Sequence, residues 1–160
     1  IYYSNDLIGT QIGGALKNIY AIAAGVAEGL NLGENAKSAL ISRSFAEMTR
    51  YAKKFKADKN TLFGLSGLGD LILTCSSKNS RNTQFGIKLA SSKYDNFLDL
   101  LKSQEVTEGY YTVKAVYNIS QKKNIDMPIM ESVYNILYKQ HDLKEELSNL
   151  LNRPITEEKI

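Results

Sequence analysis

One string of this sequence places a reactive amine among small side chains. Gly13-Gly14-Ala15-Leu16-Lys17-Asn18 sets a lysine and an amide inside a segment of small and apolar residues. A lysine partly withdrawn from water beside a bound reactant can act as a general acid or base. Taken alone, the segment favours a plainer alternative, a lysine that reaches the surface or pairs with a carboxylate. Lys17 is therefore a candidate catalytic residue, with Asn18 as its neighbour.

A second string joins glycines to an acid. Gly64-Leu65-Ser66-Gly67-Leu68-Gly69-Asp70-Leu71-Ile72-Leu73-Thr74-Cys75 has three glycines that permit close backbone approach, and Asp70 and Thr74 then share one helix face. An acid among apolar residues needs a partner, and Lys17 is a candidate. The alternative is that Asp70 only caps its helix. The glycines lack G-x-G-x-x-G spacing and follow no predicted strand, so this is not a dinucleotide fingerprint.

A third string, Ser80-Arg81-Asn82, stands where a helix is predicted to begin. Free backbone N–H groups, the helix dipole, a hydroxyl, a guanidinium and an amide would together suit an anion of phosphate size. Any capped helix with a solvated arginine looks similar, so the string alone leaves both readings open.

Other reactive residue types are scarce. The single histidine, His141, lies among polar residues and is expected at the surface, and with one histidine and one cysteine no metal site is expected. Cys75 is expected to be a buried thiol. Tyr110, Tyr111 and Tyr117 fall at helical spacing, which is typical of core or interface rings.

Composition indicates one soluble domain. A chain of 160 residues with 43% hydrophobic content can bury one core. The net charge of +3 favours anionic ligands but does not indicate nucleic acid. One cysteine fits a reducing compartment, so a cytoplasmic location is expected. No apolar run reaches the roughly 20 residues that span a bilayer. The start at Ile1, without an initiator methionine, is typical of an excised piece.

The elements that must position these strings are predicted to be helices. Alternating β-branched runs are scarce, so the fold class is expected to be all-α, a multi-helix bundle formed by residues 1–160 as a single domain. Segment 11–29, rich in glycine and alanine that let another helix approach closely, is predicted to be a buried central helix. Asp58 is predicted to cap a short turn through 61–63, and Ser80 a helix through 89. Further helices are predicted over 34–55, 70–75 and 94–102, from a Thr107 cap to about 122, from Pro128, and from an Asp142 cap to Pro154.

Several strings, taken in order from about residue 4 to 154, resemble bacterial NAD(P)-dependent glycerol-3-phosphate dehydrogenase. They are Asp6-Leu7-Ile8-Gly9, Gly14-Ala15-Leu16-Lys17-Asn18, Ala36-Lys37-Ser38-Ala39-Leu40, Ala46-Glu47-Met48, Gly67-Leu68-Gly69-Asp70-Leu71, Leu73-Thr74-Cys75, Ser80-Arg81-Asn82, Glu108-Gly109 and Met127-Pro128-Ile129. The resemblance implies the helical C-terminal domain of an enzyme in the 6-phosphogluconate dehydrogenase superfamily, without its N-terminal Rossmann domain, and inactive alone. It also implies NAD or NADP as cofactor, a small phosphate ester as substrate, and a role in phospholipid synthesis.

The resemblance also implies residue roles. Lys17 matches the catalytic lysine, while Asp70, Ser80, Arg81 and Asn82 match positions that bind glycerol 3-phosphate. Arg81, Val106 and Glu108 match cofactor contacts, and Asn18 and Thr74 are expected nearby. Thr83 and Gln84 depart from the family, whose members commonly carry two arginines there, so the choice between NAD and NADP stays open.

Two alternatives remain at this level. One is a related dehydrogenase that acts on another hydroxy acid. The other is a non-enzymatic helical module that uses its basic surface or its small-residue helix for interaction. A homodimer is a further expectation. Neither nucleic acid nor membrane insertion is expected.

Overall fold

The chain folds as an all-α bundle, which confirms the predicted fold class. The computed structural model describes residues 3–91 and 107–153, and these ranges contain helices and no strand. The helices, in chain order, are α1 (Leu7–Gly29), α2 (Glu34–Lys54), α3 (Lys59–Phe63), α4 (Asp70–Ser76), α5 (Arg81–Ser91), α6 (Glu108–Lys123), α7 (Pro128–Lys139) and α8 (Leu143–Leu151). A π-helical turn, Leu65–Gly69, joins α3 to α4. The predicted helix over 94–102, Val106 and Pro154 lie outside the described residues.

Helix α1 is the centre of the bundle, as predicted. It packs against α2, α3, α4, α5, α6 and α7, and its side chains from Leu16 to Ile22 form much of the core. The helix begins at Leu7, four residues before the predicted start, because the Asp6 side chain accepts a hydrogen bond from the Gly9 N–H at 2.9 Å. No helix in the described part of the chain is long and apolar enough to cross a membrane.

Glycines let two segments pack directly on the backbone of α1. A methyl group at Gly86 of α5 would collide with the Ile22 carbonyl oxygen, and one at Gly25 would collide with the Thr83 carbonyl oxygen. One at Gly13 would collide with the carbonyl oxygen of Ser66 in the π-helical turn. The predicted close approach of another helix to this small-residue segment is confirmed.

Most predicted helix caps are confirmed, and one is wrong. Asp58 and Asp142 each accept hydrogen bonds from backbone N–H groups of the first turn that follows, and Ser80 Oγ accepts from the Thr83 N–H at 3.3 Å. Thr107 precedes α6, but its side chain makes no capping bond. The Gly109 N–H, in the first turn of α6, donates instead to Asn82 Oδ1 at 3.0 Å.

A buried acid fixes the start of α7. Glu47 of α2 is 1% exposed and accepts hydrogen bonds from the N–H groups of Ile129 at 2.6 Å and Met130 at 3.1 Å. The Tyr20 hydroxyl of α1 donates to the same carboxylate at 3.4 Å. Burial raises the pKa of Glu47 to about 7, although these backbone bonds oppose the shift. One side chain therefore joins α1, α2 and α7.

Tyr110 and Tyr117 pack between helices, as predicted, whereas Tyr111 is 67% exposed. Tyr117 of α6 stacks on Tyr134 of α7 with ring centroids 3.7 Å apart, and Tyr110 stacks on Tyr138 at 4.8 Å.

His141 is exposed, as predicted, and its Nδ1 lies 2.7 Å from Glu146 Oε1. Cys75 is a buried free thiol, and burial raises its pKa to about 12.

Candidate functional site

Lys17 and Asp70 form an ion pair between α1 and α4. Lys17 Nζ lies 2.5 Å from Asp70 Oδ2, and the two side chains are 23% and 31% exposed. Gly13, one turn before Lys17, lets the π-helical turn touch α1, and this contact brings the first residue of α4 beside the lysine. The pairing predicted from the two strings is therefore present. The alternative in which Asp70 only caps its own helix is not, because Gly69 occupies the N-cap and the Asp70 carboxylate contacts Lys17 and Thr74.

Thr74 and Thr83 connect this ion pair to α5. Thr74 Oγ1 donates to the Asp70 backbone oxygen at 2.6 Å and lies 3.4 Å from Asp70 Oδ1. Thr83 Oγ1 donates to the Thr74 backbone oxygen at 2.9 Å, and Thr83 is 1% exposed. This role of Thr83 was not predicted from the sequence. Its burial keeps it from contacting a ligand, so it positions α4 against α5.

The predicted anion site lies at the start of α5. Ser80 caps the helix, and Arg81, the first helical residue, is exposed. Arg81 Nη2 lies 3.3 Å from Glu108 Oε1, with the two side chains 81% and 68% exposed. The guanidinium is therefore accessible to a ligand but already faces a carboxylate.

Two asparagines join the lysine helix to α5 and α6. Asn82 Nδ2 donates to Asn18 Oδ1 at 3.1 Å, and Asn82 Oδ1 accepts from the Gly109 N–H at 3.0 Å. Asn18 Nδ2 donates to Glu108 Oε2 at 3.3 Å. Both asparagines are buried. The hydrogen bond between their amides therefore fixes Asn18, the residue next to Lys17, against the start of α5.

These groups surround an open hollow of about 280 Å³. Its lining is mostly polar: Asn18, Leu73, Thr74, Ser77, Asn79, Ser80, Arg81, Asn82 and Glu108. Lys17 and Asp70 do not line it. Lys17 is next to the lining residue Asn18, and Asp70 lies one turn before the lining residue Thr74. Val106 lies outside the described residues.

A second hollow, of about 350 Å³, lies between α1, α2, α7 and α8. Its walls are aliphatic, and its few polar side chains include Arg43, Ser132 and Glu146. It holds none of the predicted site residues. The predicted site residues gather instead at the smaller, polar hollow, where hydroxyl, amide and guanidinium groups can bind an anion and Lys17 is the neighbour of a lining residue, Asn18.

The geometry suits a phosphate ester and acid–base chemistry at a neighbouring carbon. Arg81 and the first backbone N–H groups of α5 can bind an anion, and the Lys17 ammonium can give a proton to an oxygen that becomes negative during reaction. Among residues 3–91 and 107–153, no three His, Cys, Asp or Glu side chains come together as a metal site would require.

Comparison with known proteins gives a consistent match. A family model described as NAD-dependent glycerol-3-phosphate dehydrogenase C-terminus matches residues 6–148. The chain is 44% identical over 154 residues to glycerol-3-phosphate dehydrogenase [NAD(P)+] of Staphylococcus carnosus, covering 96% of this chain and 46% of that protein. It is also 44% identical over 153 residues to the protein of the same name from Mannheimia succiniciproducens, covering 96% and 45%.

Solved structures agree. The crystal structure of glycerol-3-phosphate dehydrogenase from Coxiella burnetii superposes with a TM-score of 0.88 at 39% identity, covering 95% of this chain and 46% of that one. Glycerol-3-phosphate dehydrogenase from Saccharomyces cerevisiae superposes with a TM-score of 0.79 at 30% identity, covering 92% and 43%. The chain therefore spans about half the length of the relatives it matches.

Proposed function

We propose that this chain, which belongs to the family of NAD-dependent glycerol-3-phosphate dehydrogenase C-terminal domains, is the substrate-binding and catalytic half of an enzyme that interconverts sn-glycerol 3-phosphate and dihydroxyacetone phosphate. The observation that carries the proposal is the Lys17–Asp70 pair beside a hollow that Arg81 and the start of α5 line. Lys17 adjoins Asn18, which lines that hollow, and this supports a proton donor and a phosphate site that serve the same small phosphate ester.

Lys17 is the proposed proton donor and acceptor. In the reducing direction its ammonium stabilises the alkoxide that develops at C2 of dihydroxyacetone phosphate and protonates it. In the oxidising direction the neutral amine takes the hydroxyl proton. Asp70, 2.5 Å from Nζ, holds the amine in place and balances its charge.

The start of α5 is the proposed phosphate site. The Arg81 guanidinium and the N–H groups of the first turn would bind the phosphate oxygens, while Ser80 and Asn82 complete the turn. The phosphate does not react, so its binding energy serves to position the C2 carbon beside Lys17.

NAD or NADP is the proposed cofactor, and it supplies the hydride when bound. Arg81 and Glu108, which the sequence resemblance assigns to cofactor contact, are exposed at the hollow, so both can be reached by a second ligand. Most of the cofactor site is assigned to the other half of the enzyme, because this chain spans 46% of its Staphylococcus carnosus relative.

An exposed apolar surface beside the site is the proposed contact with that other half. Leu65 of the π-helical turn and Leu73 of α4 lie on two elements in contact and are 74% and 67% exposed. Large apolar side chains left this open on one region of a protein mark an interaction surface. Leu73 also lines the hollow, so a domain docked here would cover it from solvent.

The proposal carries cellular expectations with it. It fits a cytoplasmic enzyme that supplies glycerol 3-phosphate for phospholipid synthesis. The homodimer stays a prediction.

A hybrid enzyme tests the function. In it, this chain replaces the corresponding half of the Staphylococcus carnosus relative, and dihydroxyacetone phosphate reduction is followed by cofactor absorbance. We expect turnover in the parent hybrid, a loss of about 100-fold or more in kcat for Lys17→Ala, and measurable substrate binding in that variant. Lys144→Ala, an exposed lysine of α8, is the matched control and should keep the parent rate.

Two results would contradict the proposal. Near-parent turnover in Lys17→Ala would remove the proton-transfer role from that residue. Reduction of another keto acid by a hybrid that ignores dihydroxyacetone phosphate would favour the related dehydrogenase with a different substrate.

A further inference from the structure

The described lining of the polar hollow has no net positive charge with which to attract a phosphate. Among the described residues that line it, Arg81 and Glu108 are the charged ones, and their charges cancel. The two side chains also face each other, with Arg81 Nη2 3.3 Å from Glu108 Oε1. A phosphate that binds Arg81 would therefore meet a carboxylate already in its place.

The Glu108 carboxylate is held loosely. Its two contacts, to Arg81 and to Asn18 Nδ2, are both 3.3 Å long, and its side chain is 68% exposed. Long contacts between exposed groups contribute little free energy, so the carboxylate can leave Arg81 at small cost.

The backbone beside Glu108 is held firmly. The Gly109 N–H donates to Asn82 Oδ1 at 3.0 Å, and a methyl group at Gly109 would lie only 2.7 Å from the Asn18 carbonyl oxygen. The start of α6 is thus packed against α1 by its main chain. A change at the Glu108 side chain can occur without moving the helix.

We propose that Glu108 is a displaceable counter-ion, which neutralises Arg81 while the hollow is empty and turns away when the phosphate group of the substrate binds. The inference rests on the proposed phosphate site at Arg81. It assigns the carboxylate a role in substrate selection, because only a ligand that binds Arg81 more strongly than Glu108 does can occupy the site. A dianionic phosphate satisfies that condition better than a single carboxylate.

The 160-residue chain itself can test this with inorganic phosphate as the probe. Backbone amide NMR signals of residues 80–84 are followed during a phosphate titration at low ionic strength and fixed neutral pH. We expect Arg81→Ala to weaken phosphate binding about ten-fold, and Glu108→Gln to tighten it about three-fold or more. Glu145→Gln, which removes the same charge from an exposed position of α8, is the control and should leave affinity unchanged.

The double variant separates displacement from general repulsion. In the Arg81→Ala background, Glu108→Gln should alter phosphate affinity by less than about two-fold, because the guanidinium for which the carboxylate and the phosphate compete is gone. An equal gain in both backgrounds would overturn the counter-ion role, as would unchanged or weaker binding in Glu108→Gln alone. Unaltered phosphate affinity in Arg81→Ala would overturn the phosphate site of the proposed function together with this inference.

Discussion

The charged side chains around the site differ in how firmly they are paired. Lys17 and Asp70 are in close contact and about three-quarters buried, whereas Arg81 and Glu108 are further apart and mostly in water. Salt screens an exposed pair strongly and a partly buried pair much less. The lysine is therefore held in one position before any ligand arrives, and the arginine is free to exchange partners.

Asp70→Asn should reduce catalysis more than stability. The amide keeps the shape of the side chain but leaves the Lys17 ammonium without its counter-charge, so the amine is less well positioned. We expect a fall of about 100-fold in kcat of the hybrid enzyme, with a change of about 1 kcal/mol or less in the free energy of unfolding. Enzyme assays and thermal melts of the same preparation would measure both.

Asp126→Asn is the matched control for that substitution. Asp126 is paired with Arg153 at 3.0 Å but is exposed and does not line the hollow. It should lose no activity. A similar fall in kcat for both variants would show that the Asp70 effect is not specific to Lys17.

At the scale of elements, the packing of α5 on α1 depends on glycine. A side chain at Gly86 would meet the Ile22 carbonyl oxygen and lie 2.8 Å from the Val26 nitrogen, both of them backbone atoms that cannot turn aside. We expect Gly86→Ala to lower the free energy of unfolding by about 1–3 kcal/mol, because the helices must separate. Denaturant titration of the 160-residue chain would measure the loss.

Gly14→Ala is the opposite case on α1. Nothing lies within 4 Å of an added methyl group there, so only the higher helix propensity of alanine acts. We expect unchanged or higher stability, by up to about 1 kcal/mol. Equal destabilisation by both substitutions would exclude the close-packing explanation.

The Glu47 contact predicts a pH dependence of stability. Because burial raises the folded pKa from 4.5 to about 7, the folded chain favours the neutral acid. The stabilisation is therefore complete below about pH 4.5 and is lost as pH rises towards 7, by roughly 3 kcal/mol in all. Tyr20, Arg50 and Asp126 are the other titratable or charged groups that act on this carboxyl.

Glu47→Gln should flatten that dependence. The melting temperature of the parent chain should fall more between about pH 4.5 and 7 than that of the variant. Glu34 is an exposed acid at the start of the same helix, and Glu34→Gln should keep the pH dependence of the parent's melting temperature. An unchanged slope in Glu47→Gln would mean that another group carries the titration.

Helices were predictable from local sequence, and most of the contacts between them were not. Periodicity and caps such as Asp58, Ser80 and Asp142 act within a few residues, so they can be read directly. The π-helical turn was not predicted, because it depends on α1 and α3 pressing against it at Gly13 and Gly67. The backbone N–H groups that bind Glu47 lie more than 80 residues away in the chain, and no local pattern marks them.

At the scale of the whole molecule, the apolar surface predicts a dependence on the other half of the proposed enzyme. Leu65 is 74% exposed, so Leu65→Ser should change the stability of the isolated chain by about 0.5 kcal/mol or less. In the hybrid enzyme the same substitution should lower the melting temperature and raise KM, because it weakens the proposed domain contact. No difference between the isolated chain and the hybrid would place that contact elsewhere.

The site was predictable only in part for a related reason. Lys17 and Asp70 could be paired from the sequence because each lacked a local partner in apolar surroundings. The contact between Arg81 and Glu108 spans 27 residues and joins two exposed side chains. An exposed charge does not require an ionic partner, so the sequence did not indicate this pair. The family resemblance supplied both residues but not their pairing.

The direct backbone contact between α1 and α5 has a consequence for substrate size. Lys17 lies on one of these helices and Arg81 at the start of the other, and main-chain atoms at Gly25 and Gly86 set how far apart the helices lie. Side-chain rotation cannot adjust that separation. If the proposed function holds, a phosphate ester with one carbon more between its phosphate and its reacting carbonyl would reach the lysine out of alignment, so the proposed enzyme should discriminate among substrates by length.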